Sequence, residues 1–393
     1  MPLKRLWPGF EMPKIALVLT SRFPSEKAYA VTTLETARAA ESMGIPVKIY
    51  APFDSKSETV SNVTNVENKM IRKLTSLLGR APGKSGALIF YARRFLIAAE
   101  FRKSLRASNS PNEIVWTRDP IVAMMTNNQT RVFLELHNKP SRIDGLICKL
   151  LDSKRKFFVG TLTATHQDQL RKYFSKTKIS ILPMAVNKSF FLPSRSELEV
   201  ETIGYVGKGW SSGEDNKLYE LISSAKLVDD ETETLLQWEF LGLEPNYKSK
   251  MESEVGRYTW KKCKFNFINH VSHDEVPRYL ESISIGLIPY HDSTYNRQRF
   301  PIKALEYAAA GVTILATDTP GNHSVMKSDF CYFYDPGDAT SLAKTIHLIL
   351  EEKQERNQKR ESARRWARKH SYESRVEIVL DVVDNSNERS SKI

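Results

Sequence analysis

The sequence predicts an α/β protein of two consecutive domains, and three observations carry that expectation. Short apolar runs of strand type alternate with helix-spaced segments along nearly the whole chain, as a mostly parallel sheet with helical crossovers requires. The series runs twice, interrupted by the polar, proline-containing stretch Phe191–Val200. A length of 393 residues also exceeds one ordinary domain. We therefore expect a first Rossmann-like domain over 1–192 and a second over 200–370.

Ile15–Thr20 is an apolar run of strand type, followed by a loop at Arg22–Tyr29. Val31, Leu34 and Ala37 share one stripe of a helix over 31–43, and Gly44 stands where a helix end needs a left-handed residue. Val47–Ala51 is the next strand, stopped by Pro52. Strands follow at Glu113–Thr117, Arg131–Glu135, Phe157–Thr163 and Ile179–Pro183, with helices at Pro120–Thr126 and from Thr163 toward Tyr173. The second series places strands at Thr202–Val206, Gln237–Leu241, Phe265–Ile268, Ile283–Pro289, Val312–Ala316 and Cys331–Tyr334. A basic helix with Arg364, Arg365, Arg368 and Lys369 precedes the last apolar run, Val376–Val383. The pattern of that run does not say where it packs; we assign 372–393 to the first domain.

Composition narrows the function classes. No run approaches the roughly 18 uncharged apolar residues of a membrane span. Met1–Phe10 is followed by no signal-peptide apolar core, and Cys148, Cys263 and Cys331 match neither a disulfide framework nor a metal cage. A cytoplasmic, metal-free protein is expected. The net charge of +12 calls for an anionic partner. Ten basic residues and one acid, Glu100, lie between Lys69 and Arg106, so much of the excess sits in one window.

Ligands of open α/β sheets bind beyond the carboxyl ends of the strands, which directs attention to Arg299–Gly311 after the Ile283–Pro289 strand. Pro301 suits a first helical turn, Ile302, Leu305 and Ala309 form a stripe, and Gly311 ends the helix. Lys303 and Glu306 are three apart and share one edge. A helix start attracts anions. A lysine there suits a diphosphate, and a carboxylate one turn later suits two ribose hydroxyls. A surface ion pair fits the same spacing, so spacing alone leaves both open.

The segment Pro-x-Lys-x-x-Glu-Tyr-x-Ala-x-Gly, a strand, then Ala316–Asn322 resembles the carboxy-terminal domain of glycosyltransferase family 4, the group 1 glycosyltransferases. Ile203–Gly207, Phe267–Val271, Val276–Leu280, Ile285–Tyr290, Tyr334–Asp338 and Leu342–Leu350 extend the likeness, as do Lys14–Pro52, Trp116–Asp119, Leu134–Asn138 and Ile181–Asn187 in the first half. The resemblance implies a GT-B fold, two Rossmann-like domains with parallel sheets facing a central cleft, and a nucleotide sugar bound mainly by the second. It implies that Glu306 holds the ribose, and that Lys303 with Thr319, Pro320, Gly321 and Asn322 lies near the diphosphate or sugar. Gly207 and Lys208 would meet phosphate, His270 and Val271 the base, and His137 the donor sugar. Gln298 and Pro301 complete the donor set.

The chain departs from the family at three places: Gln298 stands for the first carboxylate of the Glu-x7-Glu motif, Ser212 for a lysine, and Ala28-Tyr-Ala30 for a glycine pair. The expected activity is retaining, metal-independent transfer of a hexosyl unit from a UDP- or GDP-sugar to a glycan or lipid-linked acceptor, with no cofactor and no nucleic-acid partner. The departures favour as alternative a nucleotide-sugar-binding scaffold that has lost catalysis. In the basic window, Arg72, Lys73, Arg93, Arg94, Arg102 and Lys103 are interleaved with aliphatic and aromatic residues. That pattern suits a helix on an anionic bilayer surface at the inner face of the membrane, and equally an ordinary helix burying its apolar face.

Overall fold

The computed structural model describes residues 12–23, 25, 28–52, 71–74, 86–108, 112–154, 156–193, 200–211 and 214–384. The chain divides into two compact units, 1–183 with 372–393, and 184–371.

The first unit holds strands β1 (Lys14–Val18), β2 (Val47–Pro52), β3 (Ile71–Leu74), β4 (Glu113–Thr117), β5 (Arg131–Leu136), β6 (Phe157–Thr161) and β7 (Ile179–Ile181). They form one parallel sheet in the order β3-β2-β1-β4-β5-β6-β7. Its helices are α1 (Ala28–Ser42), α2 (Gly86–Ser108), α3 (Pro120–Met125), α4 (Arg142–Leu151) and α5 (Ala164–Leu170). Parallel strands covered on both faces read as continuous apolar runs, and Ile114, Val115, Val132, Phe133, Leu134 and Val159 are wholly buried. The strand order turns at β1 and β4, so the loops after these two strands lie at the switch point where open sheets bind ligands, and the loop after β5 lies beside it.

The second unit holds β8 (Glu201–Val206), a ribbon of β9 (Trp210–Ser211) and β10 (Glu214–Asp215), then β11 (Leu236–Leu241), β12 (Cys263–Ile268), β13 (Ile285–Ile288), β14 (Thr313–Thr317) and β15 (Cys331–Tyr334). Its six-stranded parallel sheet runs β12-β11-β8-β13-β14-β15, turning at β8 and β13. The helices are α6 (Glu220–Glu231), α7 (Pro245–Val255), α8 (Val276–Leu280), α9 (Ile302–Ala310), α10 (Pro320–His323), α11 (Ala339–Glu351) and α12 (Lys353–Arg368).

The division falls after Pro183, ahead of Phe191–Val200, because residues 184–192 pack with the second unit. The Phe190 ring lies 5.2 Å from that of His273, and the Arg364 guanidinium donates to the Leu192 carbonyl at 2.7 Å. The terminal helix α13 (Tyr372–Asp384) belongs to the first unit, where it packs on α1 and buries Val376, Val379, Leu380 and Val383. The basic helix α12 spends its guanidiniums on strand starts. Arg356 pairs with Glu201 at 2.7 Å, and Arg360 donates to Thr313 Oγ1 at 2.8 Å and to the Ser284 carbonyl at 3.2 Å.

Asp229-Asp230 reads in sequence as a solvated helix end, and the structure corrects this for Asp229. Only 1% exposed, its Oδ1 accepts the backbone N–H groups of Lys261 (3.1 Å), Lys262 (2.7 Å) and Cys263 (2.7 Å), which ties α6 to β12. Burial alone would raise this carboxyl, but the three N–H donors and Lys226 outweigh it and hold it at about 2. A folded value below the unfolded one means stability present above pH ~4 and lost as pH falls toward 2. Asp229→Ala orphans the buried donors and should cost about 3 kcal/mol at pH 7, read as a lower urea midpoint with an unchanged slope.

Candidate active site

At the carboxyl edge of the second sheet, helix α9 is the organising element. Gly311, at φ 71°, ends it in the left-handed conformation. Ala304 through Ala310 are all buried, so the helix has almost no solvent face. The surface ion pair that the Lys303/Glu306 spacing also allowed is therefore absent. Glu306, 6% exposed, meets His273 Nε2 at 3.0 Å, while the Lys303 ammonium lies 5.7 Å from the Tyr205 ring centroid. Pro301 is the buried residue before the first turn.

Gly207 follows β8 with φ 146°, and a Cβ there would come within 3.0 Å of Lys303 Cε and Nζ. Only glycine lets the loop approach the lysine so closely. Lys208 beside it is exposed. The Arg299 guanidinium stacks 4.0 Å from the Tyr290 ring centroid. Burial would raise the Tyr290 phenol, but Arg299 and Lys303 outweigh it and hold it below its ordinary value. Burial would lower Lys303, but Tyr290 and Tyr205 outweigh it, so the ammonium stays charged at neutral pH. Lys303 and the Tyr205 hydroxyl thus meet the Gly207 turn, and Tyr290 and Arg299 interact with that lysine.

After β14, Thr319 caps α10 through the Asn322 N–H at 3.4 Å, and the Asn322 side chain donates to the Thr317 carbonyl at 2.9 Å. A Cβ on Gly321 would stand 2.4 Å from the Asn296 carbonyl, so this turn is pressed onto the loop that carries Gln298. Pro320 is exposed and Gln298 is buried. His270 is exposed and Val271 half-buried after β12; the histidine that reaches Glu306 is His273, on the turn His273–Glu275. Sequence reasoning missed His273, Arg299, Tyr290 and Tyr205. The Ser272/Glu275 capping box was the signal for the first. Ser212 lies outside the described residues.

In the first unit, His137 follows β5, its Nε2 2.5 Å from Glu135 Oε1. Burial and then Arg118 pull the ring down to about 4 against the attraction of Glu135. Burial would raise Glu135, but Arg375, Arg118 and His137 outweigh it and hold it well below the carboxylate range. At neutral pH the pair is therefore neutral imidazole with carboxylate. Thr32, Thr33 and Thr36 of α1 line a small pocket with Trp116, Arg118 and Glu135.

The basic window resolves into two elements. Arg72 and Lys73 are exposed on the sheet-edge strand β3, where cations discourage further pairing. Helix α2 buries Ile97, Ala98, Phe101 and Leu105; Arg93 and Arg102 are half-buried and Lys103 exposed. Arg94 is a correction: it is no surface cation. At 6% exposure it donates to Asp119 through Nε (2.7 Å) and Nη2 (2.8 Å), and to Asp144 through Nη2 (2.8 Å). Lys69, Arg80 and Lys84 lie outside the described residues. The neighbouring helix α4, not anticipated from sequence, exposes Ile143, Leu146 and Leu150 on one stripe. Ser141 and Asp144, three apart, form its start and were the available signal. Among the described residues no helix is long and apolar enough to cross a membrane, and no cluster of His, Cys, Asp or Glu could hold a metal ion.

Residues 214–366 match the family model of the group 1 glycosyl transferases. Over 64 residues the chain is 44% identical to TuaH of Bacillus subtilis (strain 168), whose name assigns it to teichuronic acid biosynthesis as a glycosyltransferase; the stretch covers 16% of each chain. Among solved structures, TarM superposes with a TM-score of 0.71 at 11% identity, over 96% of this chain and 100% of that one. Anabaena Alr3699/HepE in complex with UDP and glucose gives 0.65 at 12% identity, over 94% and 99%. The two parallel-sheet units match GT-B glycosyltransferase structures.

Removing the Arg94 guanidinium leaves Asp119 and Asp144 without their buried cation. Arg94→Ala is expected to destabilise the protein by about 3–5 kcal/mol, measured by chemical denaturation, where a surface arginine would change little.

Proposed function

We propose that this chain, which carries a group 1 glycosyltransferase domain at residues 214–366, is a retaining glycosyltransferase. It moves a hexosyl unit from a UDP- or GDP-sugar to a glycan or lipid-linked acceptor in polysaccharide biosynthesis. One observation carries this reading: a buried helix brings Lys303 under the Gly207–Lys208 turn and puts Glu306 one turn further on. A glycosyl donor leaves as a nucleoside diphosphate, so negative charge grows on the leaving oxygens. Lys303 and Arg299 are held in place before that charge develops, which is the economical way to stabilise a transition state. Glu306, oriented by His273, suits two ribose hydroxyls. The teichuronic acid role named for TuaH and the UDP complex of HepE support the polysaccharide and UDP parts.

Nucleotide binding tests the donor side. UDP or GDP present at ~100 times its Kd should stabilise the protein by about 2.7 kcal/mol, seen as a raised Tm, and Lys303→Met should weaken that ligand at least tenfold. Glu306→Ala should abolish turnover of the matching sugar. If no nucleotide sugar in a UDP and GDP panel shifts Tm or is hydrolysed, the reading fails. Binding without turnover in any acceptor screen favours the scaffold, to which the buried neutral Gln298 points.

For the acceptor side we propose a lipid-linked glycan, met peripherally at the cytoplasmic face of the membrane. Leu88 (76% exposed), Phe95, Leu146 (63%) and Leu150 (72%) stand out on α2 and α4. Right-handed crossovers put these two helices on one face of the sheet, and Tyr91 on α2 meets Ser141 at the start of α4 at 2.8 Å. Lys103 and Arg106 on α2 and Lys149 on α4 supply cations. Leu146→Glu with Leu150→Glu should cut co-sedimentation with phosphatidylglycerol vesicles tenfold or more without lowering Tm.

A further inference from the structure

Arg375 lies on α13, is 2% exposed, and plays no part in the donor contacts above. A guanidinium enters a core only where its charge is met. Here Nη2 donates to Glu135 Oε1 at 2.6 Å, and Nη1 donates to the carbonyls of Leu182 at 3.3 Å and Pro183. The other oxygen of Glu135 accepts the Trp116 indole N–H at 2.7 Å, and Arg118 stands 3.6 Å from Oε1. Both carboxylate oxygens are thus fixed from elements other than β5 itself. Of the series Arg375, Glu135 and His137, only the last reaches outward, with side-chain exposures of 2%, 2% and 19%.

The chemistry of the donor set decides what His137 presents. An ionised carboxylate only accepts, so the 2.5 Å contact requires the proton on His137 Nε2. The lone pair is then on Nδ1. Such a second partner sets the tautomer and holds the ring in one orientation. An ion pair serving only to dock α13 would be replaced by apolar side chains at no loss; this one ends on an imidazole.

We propose that Arg375 is a positioning residue for His137: by clamping Glu135 it fixes the imidazole so that Nδ1 faces outward as an acceptor for a substrate hydroxyl taken up at this unit's own switch point. The proposal rests on the glycosyltransferase reading above and takes His137 as the ring that meets a substrate hydroxyl on the first unit. Helix α13, remote in sequence from β5, thereby takes part in a site built on the first unit's sheet. The charged groups facing the Glu135–His137 pair are Arg118 after β4 and Arg375 on α13, with the Tyr372 phenol beside Arg118. Removing one cation raises the proton affinity of the pair.

Nitrogen-15 NMR of the imidazoles, with His137→Gln to assign the resonance, reads this directly. In the wild-type protein the ring should be the Nε2-protonated neutral form down to below pH 5. Arg375→Met should move proton uptake by the pair upward by about one pH unit or more. The acid limb of turnover should move with it, and kcat should fall more than tenfold while donor KM changes little. Arg375→Lys should restore the acid limb. A wild-type His137 that titrates near its ordinary value overturns the proposal without any variant, which covers the case in which Arg375→Met does not fold. A folded Arg375→Met with wild-type titration and turnover overturns it as well. Full turnover in His137→Gln also sinks it, and if UDP still raises Tm in that variant the glycosyltransferase reading stands apart from this failure.

Discussion

A helix with almost no solvent face carries one lysine and one glutamate into the second unit, and the rest of that unit is arranged around this constraint. Burying a charge is costly unless it is met, and here the two are met by different groups. Lys303 is taken up by phenols and by the glycine turn after β8, Glu306 by His273. An ammonium donates and a carboxylate accepts, the two functions that the proposed nucleoside diphosphate sugar calls on through its anionic oxygens and its hydroxyls.

The first unit also buries charges, and meets them with side chains of opposite charge. Arg94 is bonded to two aspartates, and Glu135 to an indole, a guanidinium and an imidazole. These networks stand at the ends of β4 and β5, beside the switch point of the sheet, where α/β proteins place their ligands. Networks of this kind hold side chains in one arrangement.

Chain connectivity adds a dependence that neither half shows alone. Residues 372–384 return to the first unit, bury four aliphatic side chains there, and bring Arg375 to Glu135. The same helix therefore contributes apolar burial and a buried charge. Without Arg375, Glu135 would face His137 with only the more distant Arg118 for compensation, since Arg118 stands at 3.6 Å and Arg375 at 2.6 Å.

What could be read from the chain itself follows from local physics. Apolar runs such as Glu113–Thr117 and Cys331–Tyr334, bounded by breakers, appear as strands at those limits, because a fully buried parallel strand needs uninterrupted apolar residues. The Pro301–Gly311 helix was legible from its proline, its glycine and its lysine–glutamate spacing. Its burial was not, because the spacing of two charges is the same on a wet face and a dry one. Helix α4 escaped notice since its apolar residues fall on two faces, and only its inner face packs in the core. Whether Arg94 lies outside or inside, and which histidine meets Glu306, depended on residues distant in the chain. Asp119, Asp144 and the turn at Ser272 decide these, and only folding brings them within bonding distance.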